Sequence, residues 1–158
     1  MTPTARIAVW LGSGFGVGFL PAAPGTWGSL LALPMIWLCI ETGGIVLLLV
    51  FTLAACLASW WATPFYEKIY GDDPGSLVID EIAGQSLCLL LVLAVWNVEA
   101  GFLPYLLGFT FFRVFDITKI LGGNRLQQLG SSPGVLLDDL LAGFYAHLAT
   151  VFIILIIV

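Results

Sequence analysis

The sequence predicts an all-α, polytopic integral membrane helical bundle, and three observations carry that expectation. Apolar residues fill 60% of the 158 positions and charged residues only 9%, against roughly 45–50% and 25% in an ordinary soluble domain. The mean hydropathy is +1.07. The apolar residues fall into five runs, separated by short stretches rich in glycine, proline and charge. So few charges could not clothe a soluble protein of 17.0 kDa. This excludes a free-standing soluble enzyme, a disordered chain and a disulfide-stapled secreted domain. A single domain over residues 1–158 is expected. The net charge of −5 argues against a nucleic-acid partner, which needs a basic footprint.

Taken in chain order, Arg6 precedes an apolar stretch that Gly12, Gly14, Gly16 and Gly18 interrupt, so no cleaved leader is expected. The first apolar segment, residues 27–40, is about 21 Å long as a helix. That is short for a hydrocarbon core of about 30 Å, so a partial or re-entrant segment is expected, with Pro34 placed to kink it. The second runs over residues 45–66, with Trp60 and Trp61 as interface anchors. The third covers 80–98, the fourth 102–115 and the fifth 138–158, giving four to five membrane segments. Glu41-Thr42-Gly43-Gly44 and residues 97–101 read as tight turns. Cys39, Cys56 and Cys88 each lie inside an apolar run without CxxC spacing, and the one histidine, His147, reads as a hydrogen-bonded packing residue.

Threading these segments puts all five basic residues, Arg6, Lys68, Arg113, Lys119 and Arg125, on one side. The positive-inside rule makes that side cytoplasmic. Of the ten acids, only Glu41 and Glu99 fall on the other side. A passive membrane protein has no need of such a concentration; a reaction centre at one membrane surface has.

The acids occupy telling places. Asp80 and Glu81 open one helix, Asp138 and Asp139 open another, and Asp116 closes a third. Capping by free N–H groups accounts for one acid per helix and poorly for two adjacent ones. Asp116 sits at the wrong end of the dipole and needs Arg113, one turn back, or a metal ion. A repeat, PG-x4-D-x3-G, runs from Pro74 through Asp80 to Gly84 and again from Pro133 through Asp139 to Gly143. Acid and glycine share a helix face, and the glycine lets another backbone approach. The repeat can thus bring Asp80 and Asp139 together. Carboxylates gathered there repel one another, and a divalent cation relieves the repulsion. An all-oxygen set from Asp80, Glu81, Asp116, Asp138 and Asp139 selects Mg²⁺, Mn²⁺ or Ca²⁺ over Zn²⁺. Arg113 and Lys119 can flank a phosphate, although interfacial charge alone would also place them there. The alternating glycines of residues 12–18 permit close packing or an anion-binding nest. The Pro24-Gly25-Thr26 turn opens a helix where an anionic group can sit.

These residues resemble the signature of the phosphatidylglycerophosphatase A family. Four blocks carry the resemblance: Gly14 to Gly18 with Ala23-Pro24-Gly25-Thr26-Trp27-Gly28-Ser29-Leu30; Asp73-Pro74-Gly75-Ser76-Leu77-Val78-Ile79-Asp80-Glu81; Phe112-Arg113-Val114-Phe115-Asp116-Ile117-Thr118-Lys119; and Gly134 to Gly143 with its paired aspartates. The chain departs from the family pattern after Lys119, where Ile120-Leu121-Gly122-Gly123-Asn124-Arg125 replaces a proline-rich basic segment. The resemblance implies a multi-pass lipid phosphatase of the bacterial inner membrane, working at the cytoplasmic face. It would use Mg²⁺ to hydrolyse the terminal phosphate of phosphatidylglycerophosphate, leaving phosphatidylglycerol. Asp80, Glu81, Asp116 and Asp139 would be catalytic. These four and Asp138 would hold one or two ions, with Arg113, Lys119 and Thr26 on the substrate phosphate. Attack by water and attack by a carboxylate both remain open. A competing reading is a divalent-cation transporter or channel subunit that uses the same acids. Glycine faces that pack within or between chains leave a homo-oligomer open.

Overall fold

The computed structural model describes residues 1–72, 74–96, 101–119 and 131–157, and these are all helix, turn or short connection. Helix α1 spans Pro3–Gly12 and a 3-10 turn spans Val17–Phe19. Then follow α2, Pro24–Tyr70; α3, Ile79–Val95; α4, Leu103–Thr118; and α5, Ser131–Ile157. Arg125, Asp73 and residues 97–100 of the turn expected over 97–101 lie outside the described residues.

The two segments expected on either side of Glu41 belong to one helix interrupted at a single residue. Gly44 has φ 64° and ψ −159°, and the residues around it stay helical. Residues 28 and 66 would lie about 57 Å apart along an unbroken helix. Yet Gly28 packs on Val78, and the Tyr66 hydroxyl donates to the Ser76 carbonyl at 3.0 Å. The helix therefore folds back at Gly44 into two limbs, residues 24–43 and 45–70. A left-handed φ at a residue without Cβ replaces the four-residue turn that was expected. The first limb is about 30 Å long, so it is not the short re-entrant piece expected from residues 27–40. Pro34 lies inside it without breaking the helical backbone.

The second limb shows which way the apolar face points. Val46, Leu49, Val50, Leu53 and Leu57 are exposed, whereas Leu48, Thr52, Ala55, Ser59, Ala62, Thr63 and Tyr66 are buried. The outside is thus greasier than the inside, the reverse of a soluble helix, and the inner face is built from small residues that allow close packing. Two of the buried hydroxyls are satisfied within the helix: Thr52 donates to the Leu48 carbonyl at 2.9 Å and Thr63 to that of Ser59 at 2.7 Å. Trp60 and Trp61 are exposed on the same limb. Two helices, Pro24–Tyr70 and α5, are long and apolar enough to cross a membrane. His147 does not meet its expectation, because its Nδ1 is buried without a hydrogen-bond partner.

Helices α3 and α5 pack across their repeated glycines. A Cβ on Gly143 would collide with the Gly84 carbonyl, and one on Gly84 would lie 2.5 Å from the Asp139 carbonyl oxygen. Backbone therefore meets backbone where the two halves of the repeat cross. A second set of glycines seats the connection before α3. The Gly12 carbonyl accepts from the Val78 N–H at 2.8 Å. A Cβ on Gly18 would strike the Ser76 carbonyl. Of the two roles open to residues 12–18, close packing is the one observed, and it fixes where α3 begins. Because the α3–α5 crossing leaves no room for a side chain, Gly143→Val is expected to lower stability by about 1–3 kcal/mol or to prevent folding. Thermal unfolding in detergent checks this, and an unchanged midpoint would contradict the crossing.

Candidate active site

Asp80 and Glu81 sit in the first turn of α3, whose N-terminus is held by the Val78–Gly12 bond. Asp139 lies two turns into α5, opposite them across the glycine crossing. That helix starts at Ser131, not at residue 138 as expected, because Pro133 is tolerated in a first turn. Asp138 and Asp139 are therefore not helix openers, and N-terminal capping does not explain them. Asp80, Glu81 and Asp139 each offer a carboxylate oxygen within 4.8 Å of the others. Asp80 and Asp139 are buried, and Glu81 is partly buried, with its Oε2 enclosed and without a hydrogen-bond partner.

At that spacing each pair of ionised carboxylates repels by about 3.5 kcal/mol at an effective dielectric of about 20. Several features oppose this. The N-terminus of α2 abuts Glu81, since a Cβ on Gly25 would collide with its Oε1. Free N–H groups at a helix start favour negative charge. Arg113 closes the other flank, with Nη2 only 3.2 Å from the same Gly25 position. Its Nη1 is anchored twice, to Asp116 Oδ2 at 2.7 Å and to Ser29 Oγ at 3.2 Å. Ser29 is fully buried and donates in turn to the Gly25 carbonyl at 2.8 Å. Thr26 lies half-buried at the same helix end.

The structure brings four of the five expected acids to one place, Asp116 lying beside Asp139 and Glu81, and pairs Asp138 with a lysine. Asp80, Glu81 and Asp139 converge. Asp116 is paired with Arg113 one turn back, one of the two partners expected for it. Asp138 is paired with Lys119 at 2.8 Å. Successive residues on a helix point about 100° apart, and here Asp139 turns to the cluster while Lys119 holds Asp138. Lys119, expected on a phosphate, is held in that pair at the end of α4, where its φ is 47°. The roles of Gly25 and Ser29 were not readable as such. Their spacing of four on an opening helix turn was the one signal available. Gln85, one turn beyond Glu81 on α3, carried no signal, and it is fully buried with both amide atoms unpartnered.

Three carboxylates and no sulfur or imidazole make a hard, all-oxygen donor set. Around Mg²⁺ neighbouring ligand oxygens lie about 2.9 Å apart and opposite ones about 4.2 Å, so oxygens within 4.8 Å draw inward to share an ion. The enclosed and unpartnered Glu81 Oε2 fits such a ligand. The cluster can therefore hold a divalent cation.

The family model for "Phosphatidylglycerophosphatase A" matches residues 10–154. This chain belongs to that family. Among curated relatives, a Bacteroides thetaiotaomicron protein named "Putative phosphatidylinositol-3-phosphatase" is 37% identical, with the alignment covering 90% of each chain. Two proteins named phosphatidylglycerophosphatase A are also similar. The Haemophilus influenzae protein is 32% identical over 86% of this chain and 82% of its own. The Escherichia coli protein is 31% identical over 84% and 75%. No solved structure matches. Membership of the phosphatidylglycerophosphatase A family makes the protein a lipid phosphatase, and nothing in these likenesses supports the transporter reading. Loss of the Ser29 hydroxyl frees the Arg113 guanidinium on one side. Ser29→Ala is thus expected to lower kcat/KM for lipid dephosphorylation by roughly 5–30-fold, about 1–2 kcal/mol. Phosphate release from micellar substrate measures this, and wild-type kinetics would refute the anchoring role.

Proposed function

We propose that this phosphatidylglycerophosphatase A family member hydrolyses the terminal phosphomonoester of phosphatidylglycerophosphate, in a Mg²⁺-dependent reaction at the cytoplasmic face of a bacterial inner membrane. The observation that carries the reading is the convergence of Asp80, Glu81 and Asp139 beside Arg113 at one end of an apolar helical bundle. The whole chain acts as one membrane-embedded domain, with the two limbs of α2 and helices α3, α4 and α5 as its five crossings. The concentration of basic residues at the cluster end supports the sidedness.

Asp80, Glu81 and Asp139 would hold the ion, which when bound supplies charge stabilisation and an activated water. Hydrolysis joins a water oxygen to phosphorus, breaks the phosphorus–oxygen bond to the glycerol and delivers a proton to the departing alcohol. Arg113, anchored through Nη1, turns Nη2 towards the cluster, where it offsets the charge gathering on the phosphoryl oxygens. The N–H groups that open α2 at Gly25 and Thr26 are in reach of the same oxygens. Asp116 acts through Arg113, by holding it. Lys119 and Asp138 act at one remove: their ion pair ties the end of α4 to α5.

A second reading follows from the 37% identical relative, whose name specifies a phosphoinositide. It is the same chemistry on another phospholipid monoester. Purified protein in detergent micelles, given each lipid in turn with Mg²⁺ and then with EDTA, decides between them. The expected result is EDTA-sensitive phosphate release that favours phosphatidylglycerophosphate; release from phosphatidylinositol 3-phosphate alone would establish the second reading. Two adjacent aspartates provide an internal contrast. Asp139→Asn is expected to lower kcat by at least 10³-fold, and Asp138→Asn by less than about tenfold, because only the former loses a group in the cluster. Equal losses would undo the division of roles.

A further inference from the structure

Gln85 sits four residues after Glu81 on α3, so the two share a helix face. Its side chain is fully buried, and neither Oε1 nor Nε2 has a hydrogen-bond partner. Buried amides left in this state are rare, because each unpaired polar atom forfeits its hydration. A leucine or methionine would fill the space without that loss. Side chains on a helix lean towards its N-terminus, and the N-terminus of α3 is where Asp80 and Glu81 meet Asp139. The amide is therefore aimed at the acidic cluster from the interior of the bundle. Glu81 Oε2, one turn above, is enclosed and unpartnered as well.

We propose that Gln85 is a positioning residue for the divalent ion held by this cluster. Its Oε1 accepts a hydrogen bond from a water bound to the ion, and its Nε2 donates to the Glu81 carboxylate. The inference rests on the metal reading given above. A neutral amide suits the position. It adds an acceptor and a donor without a fourth negative charge beside three that already repel. Groups that orient the ligands and waters of a metal commonly change its affinity by 10–100-fold when removed.

The test uses the full chain in detergent micelles, stripped with EDTA, as wild type, Gln85→Met, Gln85→Leu and Asp139→Asn. Mn²⁺ binding is read from the electron paramagnetic resonance of the free ion, and thermal unfolding is followed with and without Mn²⁺. Gln85→Met is expected to unfold at or above the wild-type temperature without the ion. It should bind Mn²⁺ 10–100-fold more weakly, and so gain less in unfolding temperature when Mn²⁺ is added. Wild-type Mn²⁺ affinity in Gln85→Met, alongside its loss in Asp139→Asn, would overturn this inference alone and leave the metal reading standing. Failure of both Gln85 variants to fold would show that the amide serves the fold itself, and would also overturn it. A wild-type protein that binds no Mn²⁺ would overturn both.

Discussion

The approach of α3 to α5 at Gly84 and Gly143 is the constraint on which the rest of the molecule depends. Any side chain at either position would push two backbones apart. Asp80, Glu81 and Asp139 would then no longer share a few ångströms. The contact costs little to make in an apolar setting, because small residues let helix backbones approach where bulkier ones would hold them off. Its position is set from outside the crossing. The glycine-rich stretch between α1 and the 3-10 turn grips the residues before α3, which fixes the depth at which that helix begins. The fold-back at Gly44 returns Tyr66 to the same place. Three otherwise separate parts of the chain are thereby registered to one plane.

Within that plane four carboxylates gather and a fifth is held by a lysine. Asp80, Glu81 and Asp139 converge; Asp116 lies beside them and is paired with Arg113, and Asp138 is paired with Lys119. Arg113 pairs with Asp116 through one nitrogen while the other lies close to the Gly25 position against which Glu81 rests. Ser29 completes this arrangement from α2.

Much of this was legible in the residues alone. An all-helical apolar chain followed from composition and spacing. The repeat of Pro-Gly, acid and glycine identified the crossing and the correct aspartate of the second pair. The ion pair of Arg113 and Asp116 followed from their spacing of three. Other features depend on contacts between residues far apart in sequence. The partner of Asp138 lies on another helix, and the hydroxyl that holds Arg113 is 84 residues away. Helix bounds misled where local signals were ambiguous. Glu41-Thr42-Gly43-Gly44 has the composition of a loop, yet one glycine suffices to reverse a helix. Ser131-Ser132-Pro133-Gly134 also reads as a loop, although a proline so near a helix start leaves the helix intact. Asp138 and Asp139 consequently looked like helix openers when they are interior.

The ion pair between Lys119 and Asp138 bears on how this protein can vary. It fixes both ends of the chain between the two residues, and so isolates the acidic cluster from whatever lies between them. Lengthening a tethered stretch is cheap, at about 0.6 kcal/mol for each doubling. The segment from Ile120 to Arg125, where the sequence departs from the family pattern, can therefore change in length and chemistry while the carboxylate geometry stays put. The ion pair gives evolution a place to alter the chain without touching the centre of the site.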